Sequence, residues 1–154
     1  MKAIILAAGR GSRMKSLTLD NPKCLVKFQG RSLLDWQLEA IRKSGIREIA
    51  LVTGYKNQMF KKYKLKEFHN NSWEISQMFF SLSKASKWLE TDRCLISYSD
   101  IIYEKSAITE LIKSTADISI SYDQNWEFLW KRRFQDPLDD AETFNFNKEN
   151  YLTK

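Results

Sequence analysis

Gly9, Gly11 and Arg13 follow directly on the apolar start of the chain in "MKAIILAAGRGSRM", and their types suit anion chemistry. Glycines let backbone N–H groups approach an anion closely, and an arginine offers a fixed fork of donors to phosphate oxygens. Lys23 comes shortly after in "NPKCLVKF", behind Pro22, and a loop that folds back would put Arg13 and Lys23 on one phosphate chain. Two standard phosphate motifs do not account for the run. Met14 stands where a dinucleotide fingerprint has its third glycine, and no Gly-Lys-Ser/Thr sequence occurs. From these residues alone an anion-binding loop and an ordinary glycine-rich turn with solvated arginines both remain open.

Other chemistries are harder to build. His69 is the single histidine, which argues against Ser-His-Asp catalysis, histidine-rich metal sites and most general-base schemes. Cys24 and Cys94 lie far apart in apolar, strand-like surroundings and read as buried reduced thiols rather than a disulfide or metal pair. Lys and Arg total 25 against 19 Asp and Glu, a net charge of +6, which suits an anionic partner. The basic residues are dispersed and carry no nucleic-acid signature, so no nucleic acid is expected. The longest apolar runs are strand-sized, short of the roughly 20 residues of a membrane span, and no signal-peptide pattern opens the chain. No membrane association and a cytoplasmic location are expected.

The elements that must position these residues read as α/β. Residues 2–8 have the continuous apolar character of a strand buried in a parallel sheet. "KCLVKFQ" reads as a short extended piece. "SLLDWQLEAIRKSG" places Leu33, Leu34, Leu38 and Ile41 near one helical face, with Ser32 as N-cap and Gly45 as the stop. "IREIALVTGY" is a second buried strand with a glycine turn. "KNQMFKKYKLKEF" is a basic helix leading to an extended stretch. "NSWEISQMFFSLSKASKWL" reads as a helix with Ile75, Phe79, Leu82 and Ala85 toward the core. "RCLISYSD" is the third central strand, "KSAITELIKS" a helix and "ADISISYD" a further strand. Beyond Asp123 the text is aromatic and charged without a period, as in an irregular excursion. At 154 residues one domain is expected, with a core at 1–122 and the excursion at 123–154.

"LAAGRGSRM" and "PKCLVKFQGRSLLDWQLEAI", spanning residues 4–41, together resemble the sugar-phosphate nucleotidyltransferase (pyrophosphorylase) family. The resemblance implies a Rossmann-like α/β sandwich with a mostly parallel central sheet, transferring a nucleotidyl group from an NTP to a phosphorylated acceptor with release of pyrophosphate. It implies that Leu6, Ala7, Ala8, Gly9, Gly11 and Ser12 line the nucleotide, that Arg13 and Lys23 hold the triphosphate and carry catalysis, and that Gly54 and Tyr55 lie near the nucleotide. Arg10 occupies a variable position and is expected to face solvent. Asp100, at the end of "SYSD", matches the family's metal-binding aspartate, with Mg²⁺ as cofactor.

The continuation resembles the phosphocholine and phosphonate cytidylyltransferase branch. "HNNSWEISQMFFSL" stands where the branch carries an Asn-rich stretch followed by an aromatic and "SL", although Gln77 and Met78 replace its asparagines. Ser76, Gln77 and Ser81 are thereby implied to read the base of CTP. The tail resembles cytidylyltransferase-like proteins of capsule and surface-polysaccharide biosynthesis that act on small phosphorylated amines or amino-acid derivatives such as phosphoglutamine. Trp126 and Trp130 would bound the acceptor, and Asp136, Asp139, Asp140 and Glu142 would contact a cationic acceptor or a metal. A solvated acidic turn beside core tryptophans is the alternative for this stretch. Family members usually run longer and carry a second metal-binding carboxylate on a late strand, so the chain is expected to be short at its C-terminus. A sugar-1-phosphate nucleotidyltransferase and a non-enzymatic nucleotide-binding module are the competing functions, and a homodimer is an open assembly.

Overall fold

In the computed structural model, which describes residues 1–141 and 144–153, the elements follow in chain order. They are β1 (Lys2–Ala7), β2 (Lys27–Phe28), β3 (Arg31–Ser32), α1 (Leu33–Lys43), β4 (Ile49–Thr53), β5 (Lys66–His69), α2 (Met78–Ser83), α3 (Ser86–Leu89), β6 (Cys94–Tyr98), α4 (Lys105–Lys113) and α5 (Trp126–Trp130). Two compact units are formed, Met1–Ser114 and Thr115–Lys154. No helix of the described residues is long and apolar enough to cross a membrane.

The first unit is built on a parallel sheet in the order β5, β4, β1, β6. Ile4 of β1 pairs with Ala50 of β4 and with Ile96 of β6, so β1 takes the interior position its unbroken apolar run implies. Alternation sends Ala3, Ile5 and Ala7 to one face, against Leu34, Leu38 and Ile41 of α1 and Ile108 of α4. Ile4 and Val52 face the other way, toward Ala85, Leu82 and Trp88 of the α2–α3 segment. Helices thus cover both faces, as a parallel sheet requires.

Local signals explain α1 in full. The Ser32 hydroxyl accepts from the Asp35 N–H at 3.1 Å while the Asp35 carboxylate accepts from the Ser32 N–H at 3.3 Å, a reciprocal capping box. Arg42 and Lys43 oppose the negative helix end, and Gly45 leaves it at φ +96°.

Several expectations change. Lys23–Leu25 is a 3₁₀ turn rather than an extended piece, and β6 lies last in the strand order rather than centrally. Ile75 and Phe79 are 90% and 81% exposed instead of facing the core. Residues 71–75 are turns, Gln77 is extended and helix starts only at Met78, so the helical phase is reset after those residues. "ADISISYD" takes no strand conformation. Alternation specifies a strand only where one face is buried, and Ile118 is 85% exposed.

Candidate functional site

The segment following β1 is tied to the segment following β4. The Tyr55 N–H donates to the Ala8 carbonyl at 2.9 Å, the Tyr55 hydroxyl to the Leu19 carbonyl at 2.5 Å and the Lys56 ammonium to the same carbonyl at 2.9 Å. Gly11 sits at φ +75°, where a Cβ would also stand 2.9 Å from the Lys23 side chain. The glycine therefore both permits the turn and leaves a track for Lys23. At Gly54 a Cβ would meet Trp73 at 2.4 Å and the Ala8 carbonyl at 2.7 Å, so this position lets the indole close over the strand ends.

A cavity of ≈ 260 Å³ lies beside these turns. Leu6, Ala8, Gly9 and Gly11 form one wall, Lys23 and Asp100 meet as an ion pair at another, and Ser76 and Ser81 contribute hydroxyls. These eight were expected at the nucleotide or metal from the sequence. The position is chemically sensible, since ligands of open parallel sheets collect beyond the carboxyl ends of the strands. The remaining expected residues lie outside the lining. Ala7 is buried toward α1, Ser12 and Arg13 lie on the 3₁₀ turn Ser12–Thr18, Gly54 is packed under Trp73, and Gln77 stands at the N-terminal boundary of α2 without a side-chain capping bond. Tyr55 packs at a 58° tilt against Trp73 with ring centroids 5.3 Å apart, and the exposed Arg10 holds its guanidinium 5.7 Å from the centroid of the Tyr55 ring.

Sequence reasoning missed Trp73, Met78, Tyr98 and Ser99 in the lining. Tyr98 and Ser99 adjoin Asp100 and were within reach of that assignment. It also missed two buried amides that hold the walls. Gln37, fully buried on α1, donates from Nε2 to the carbonyls of Tyr98 at 2.8 Å and Ile101 at 2.6 Å, bracketing Asp100. Asn70, also fully buried, donates from Nδ2 to Ser76 at 2.8 Å and Ser81 at 2.9 Å. A polar residue in an otherwise apolar helix face was the available signal for Gln37.

Behind Lys23, burial pushes the Cys24 thiol up to about 12, which makes it an inert packing group rather than a nucleophile. Among the described residues no group of three His, Cys, Asp or Glu is placed to cage a metal. A single carboxylate, Asp100, beside a lysine in an open cavity fits Mg²⁺, which takes one or two carboxylates and completes its shell with phosphate oxygens and water. A shallower depression of ≈ 630 Å³ along α1 is lined by solvated ion pairs, Arg31 with Glu39 at 2.6 Å and Lys43 with Glu39 at 2.5 Å, and carries no comparable chemistry.

In the second unit Trp126 and Trp130 line a cavity of ≈ 360 Å³ with Tyr122, Asp123 and Phe144. Asp140 is not in that lining, Asp136 caps the Leu138 N–H at 2.9 Å, and Glu142 lies outside the described residues.

The parallel sheet and the cavity at its strand ends define an α/β protein of nucleotidyltransferase fold. The chain belongs to the MobA-like NTP transferase domain family, whose model matches residues 3–143. It is 39% identical over 153 residues to CTP:phosphoglutamine cytidylyltransferase of Campylobacter jejuni, covering 93% of this chain and 60% of that protein. It is 30% identical over 119 residues to choline-phosphate cytidylyltransferase of Streptococcus pneumoniae, covering 75% and 52%. The solved structure of CTP:phosphocholine cytidylyltransferase from Streptococcus pneumoniae superposes with a TM-score of 0.61 at 29% identity, over 68% of this chain and 49% of that one. The chain spans about half to three fifths of the length of these relatives.

Proposed function

We propose that this chain carries the nucleotide-binding part of a Mg²⁺-dependent cytidylyltransferase, which joins CTP to a small phosphorylated acceptor and releases pyrophosphate. The observation that carries the reading is the meeting of Lys23, Asp100 and the Gly9–Gly11 turn in one cavity with two serine hydroxyls. Its similarity to two cytidylyltransferases supports the choice of CTP.

An oxygen of the acceptor phosphate attacks the α-phosphorus of CTP in line. The new P–O bond forms as the bond to the β-phosphate oxygen breaks, and pyrophosphate leaves with that electron pair. Because the attacking oxygen is already anionic, no general base is needed, in keeping with a chain whose one histidine is not in the cavity lining. The work of the protein is positioning and charge neutralisation. Lys23 and Arg13 hold the phosphates, the backbone at Gly9 and Gly11 approaches them, and Ser76, Gln77 and Ser81 address the base. Tyr55 and Gly54 support that wall through Trp73. Mg²⁺, held by Asp100, supplies neutralisation of the phosphate charge when bound.

The acceptor belongs to the choline-phosphate and phosphoglutamine class of small phosphorylated amines and amino-acid derivatives; the protein acts in the cytoplasm, and its CDP-linked product serves capsule or other surface polysaccharide. Trp126 and Trp130, with Asp140 and Glu142, are the residues assigned to it, since aromatic faces suit an ammonium group. Pyrophosphate release from CTP, UTP, GTP and dTTP, each offered phosphocholine, phosphoethanolamine, phosphoglutamine and sugar phosphates, tests the reading. CTP with an amine-bearing acceptor is the expected pair. Preferential turnover of a sugar phosphate would replace this function by NDP-sugar synthesis.

A further inference from the structure

We propose that Asn70 is a specificity-determining positioning residue: it fixes the hydroxyls of Ser76 and Ser81 as hydrogen-bond donors toward the cavity, so that the wall selects a base with two neighbouring acceptors. The proposal rests on the nucleotide reading above and deepens it from nucleotide to base.

The orientation of the Asn70 amide is fixed by its partners. Its Oδ1 accepts from the Ser72 N–H at 3.0 Å, and a backbone N–H only donates, so this atom is the oxygen and the other is the NH₂. That NH₂ uses one hydrogen on Ser76 Oγ at 2.8 Å and the other on Ser81 Oγ at 2.9 Å. An NH₂ has no lone pair to offer. Each serine oxygen must therefore accept from Asn70, and each hydroxyl hydrogen is left to point elsewhere. Both serines line the cavity. The polarity cannot relax by rotation of the amide, because Asn70 is fully buried and its own N–H is tied to the Thr53 carbonyl at 2.8 Å. Turning the amide over would set its NH₂ against the Ser72 N–H, donor to donor, and leave that N–H without its acceptor.

A wall of two donors suits cytosine, whose O2 and N3 are adjacent acceptors. Uracil, thymine and guanine carry an N–H at the corresponding ring nitrogen, and adenine has a donor and a C–H beside its acceptor. Donor facing donor leaves a polar group unsatisfied in a partly enclosed site, which is costly. Ser76 and Ser81 are thus the contact residues, and Asn70 acts through them.

The test measures binding of CTP, UTP and inorganic tripolyphosphate to the chain by calorimetry, alongside thermal unfolding. The wild type should prefer CTP over UTP by roughly 10- to 100-fold. Asn70→Asp keeps the shape and the bond from Ser72 but turns both serines into donors toward residue 70, exposing lone pairs to the cavity. The CTP preference should then disappear or reverse, with tripolyphosphate affinity unchanged. Ser76→Ala and Ser81→Ala should each weaken CTP more than UTP, and they decide the matter if Asn70→Asp unfolds. An unchanged CTP:UTP ratio in a folded Asn70→Asp, or equal loss of CTP and UTP in both serine variants, overturns the proposal. A wild type that binds tripolyphosphate without base preference overturns it alone, whereas one that binds neither tripolyphosphate nor any NTP overturns the nucleotide reading as well.

Discussion

Lys23 and Asp100 show how much a single residue is asked to do, because the cation meant for phosphate and the carboxylate meant for metal are ion-paired with each other. Lys23→Met should therefore lower pyrophosphate release by about 10² to 10³, by analogy with removal of one charge-stabilising donor, and a stopped assay with CTP and the best acceptor measures it. Gly54→Ala sets a methyl 2.4 Å from the Trp73 side chain and 2.7 Å from the Ala8 carbonyl. Overpacking of this kind costs roughly 1–3 kcal/mol and should appear as a lower Tm together with weaker CTP binding, since Trp73 lines the cavity. Cys24 makes a prediction in alkali. Its thiol ionises near 9 when unfolded and only at about 12 when folded, because burial disfavours the thiolate. Above pH 9 the unfolded chain has lost a proton that the folded chain retains, so stability falls toward pH 12, with a limiting slope of about 1.4 kcal/mol per pH unit. Urea midpoints measured across this range should decline less steeply in Cys24→Ala.

The elements differ in how openly the sequence announces them. Helix α1 is legible because its signals are local: Ser32 and Asp35 cap one another, apolar residues recur on one face, and Gly45 ends it. Ser32→Ala should cost about 1 kcal/mol, seen as a lower urea midpoint with unchanged slope, while CTP affinity holds. Strands β1 and β4 are equally open, since a parallel sheet buries both faces and demands uninterrupted apolar runs. The stretch from Asn71 to Leu89 departs from the single helix expected of it for the opposite reason. Its helical spacing is genuine, but the bonds from Ser72 to Asn70 and from Ile75 and Ser76 to Ser72 wind the chain into turns first, leaving Ile75 and Phe79 outside. The site was partly legible in the same sense. Gly9, Gly11 and Lys23 stand out by type and spacing and Asp100 by the family resemblance, whereas Trp73, Gln37 and Asn70 act through contacts across elements that no local pattern encodes.

On the scale of the whole molecule, the cavity proposed for the nucleotide is contained in Met1–Ser114, while Trp126 and Trp130 belong to Thr115–Lys154. Brief digestion with a broad-specificity protease should cut first between residues 115 and 123, where no regular element protects the backbone. Mass spectrometry should identify a fragment ending there, and calorimetry should find that it still binds CTP, although acceptor turnover is lost. The position of β1 has another consequence, one of time. It is made before both of its partners, β4 at Ile49–Thr53 and β6 at Cys94–Tyr98. An apolar strand with two open edges must therefore wait until residue 98 has been made before its ladder can close. Pairing over such separations is slow, on the order of milliseconds to seconds, so β1 during synthesis is the strand most in need of a chaperone's cover.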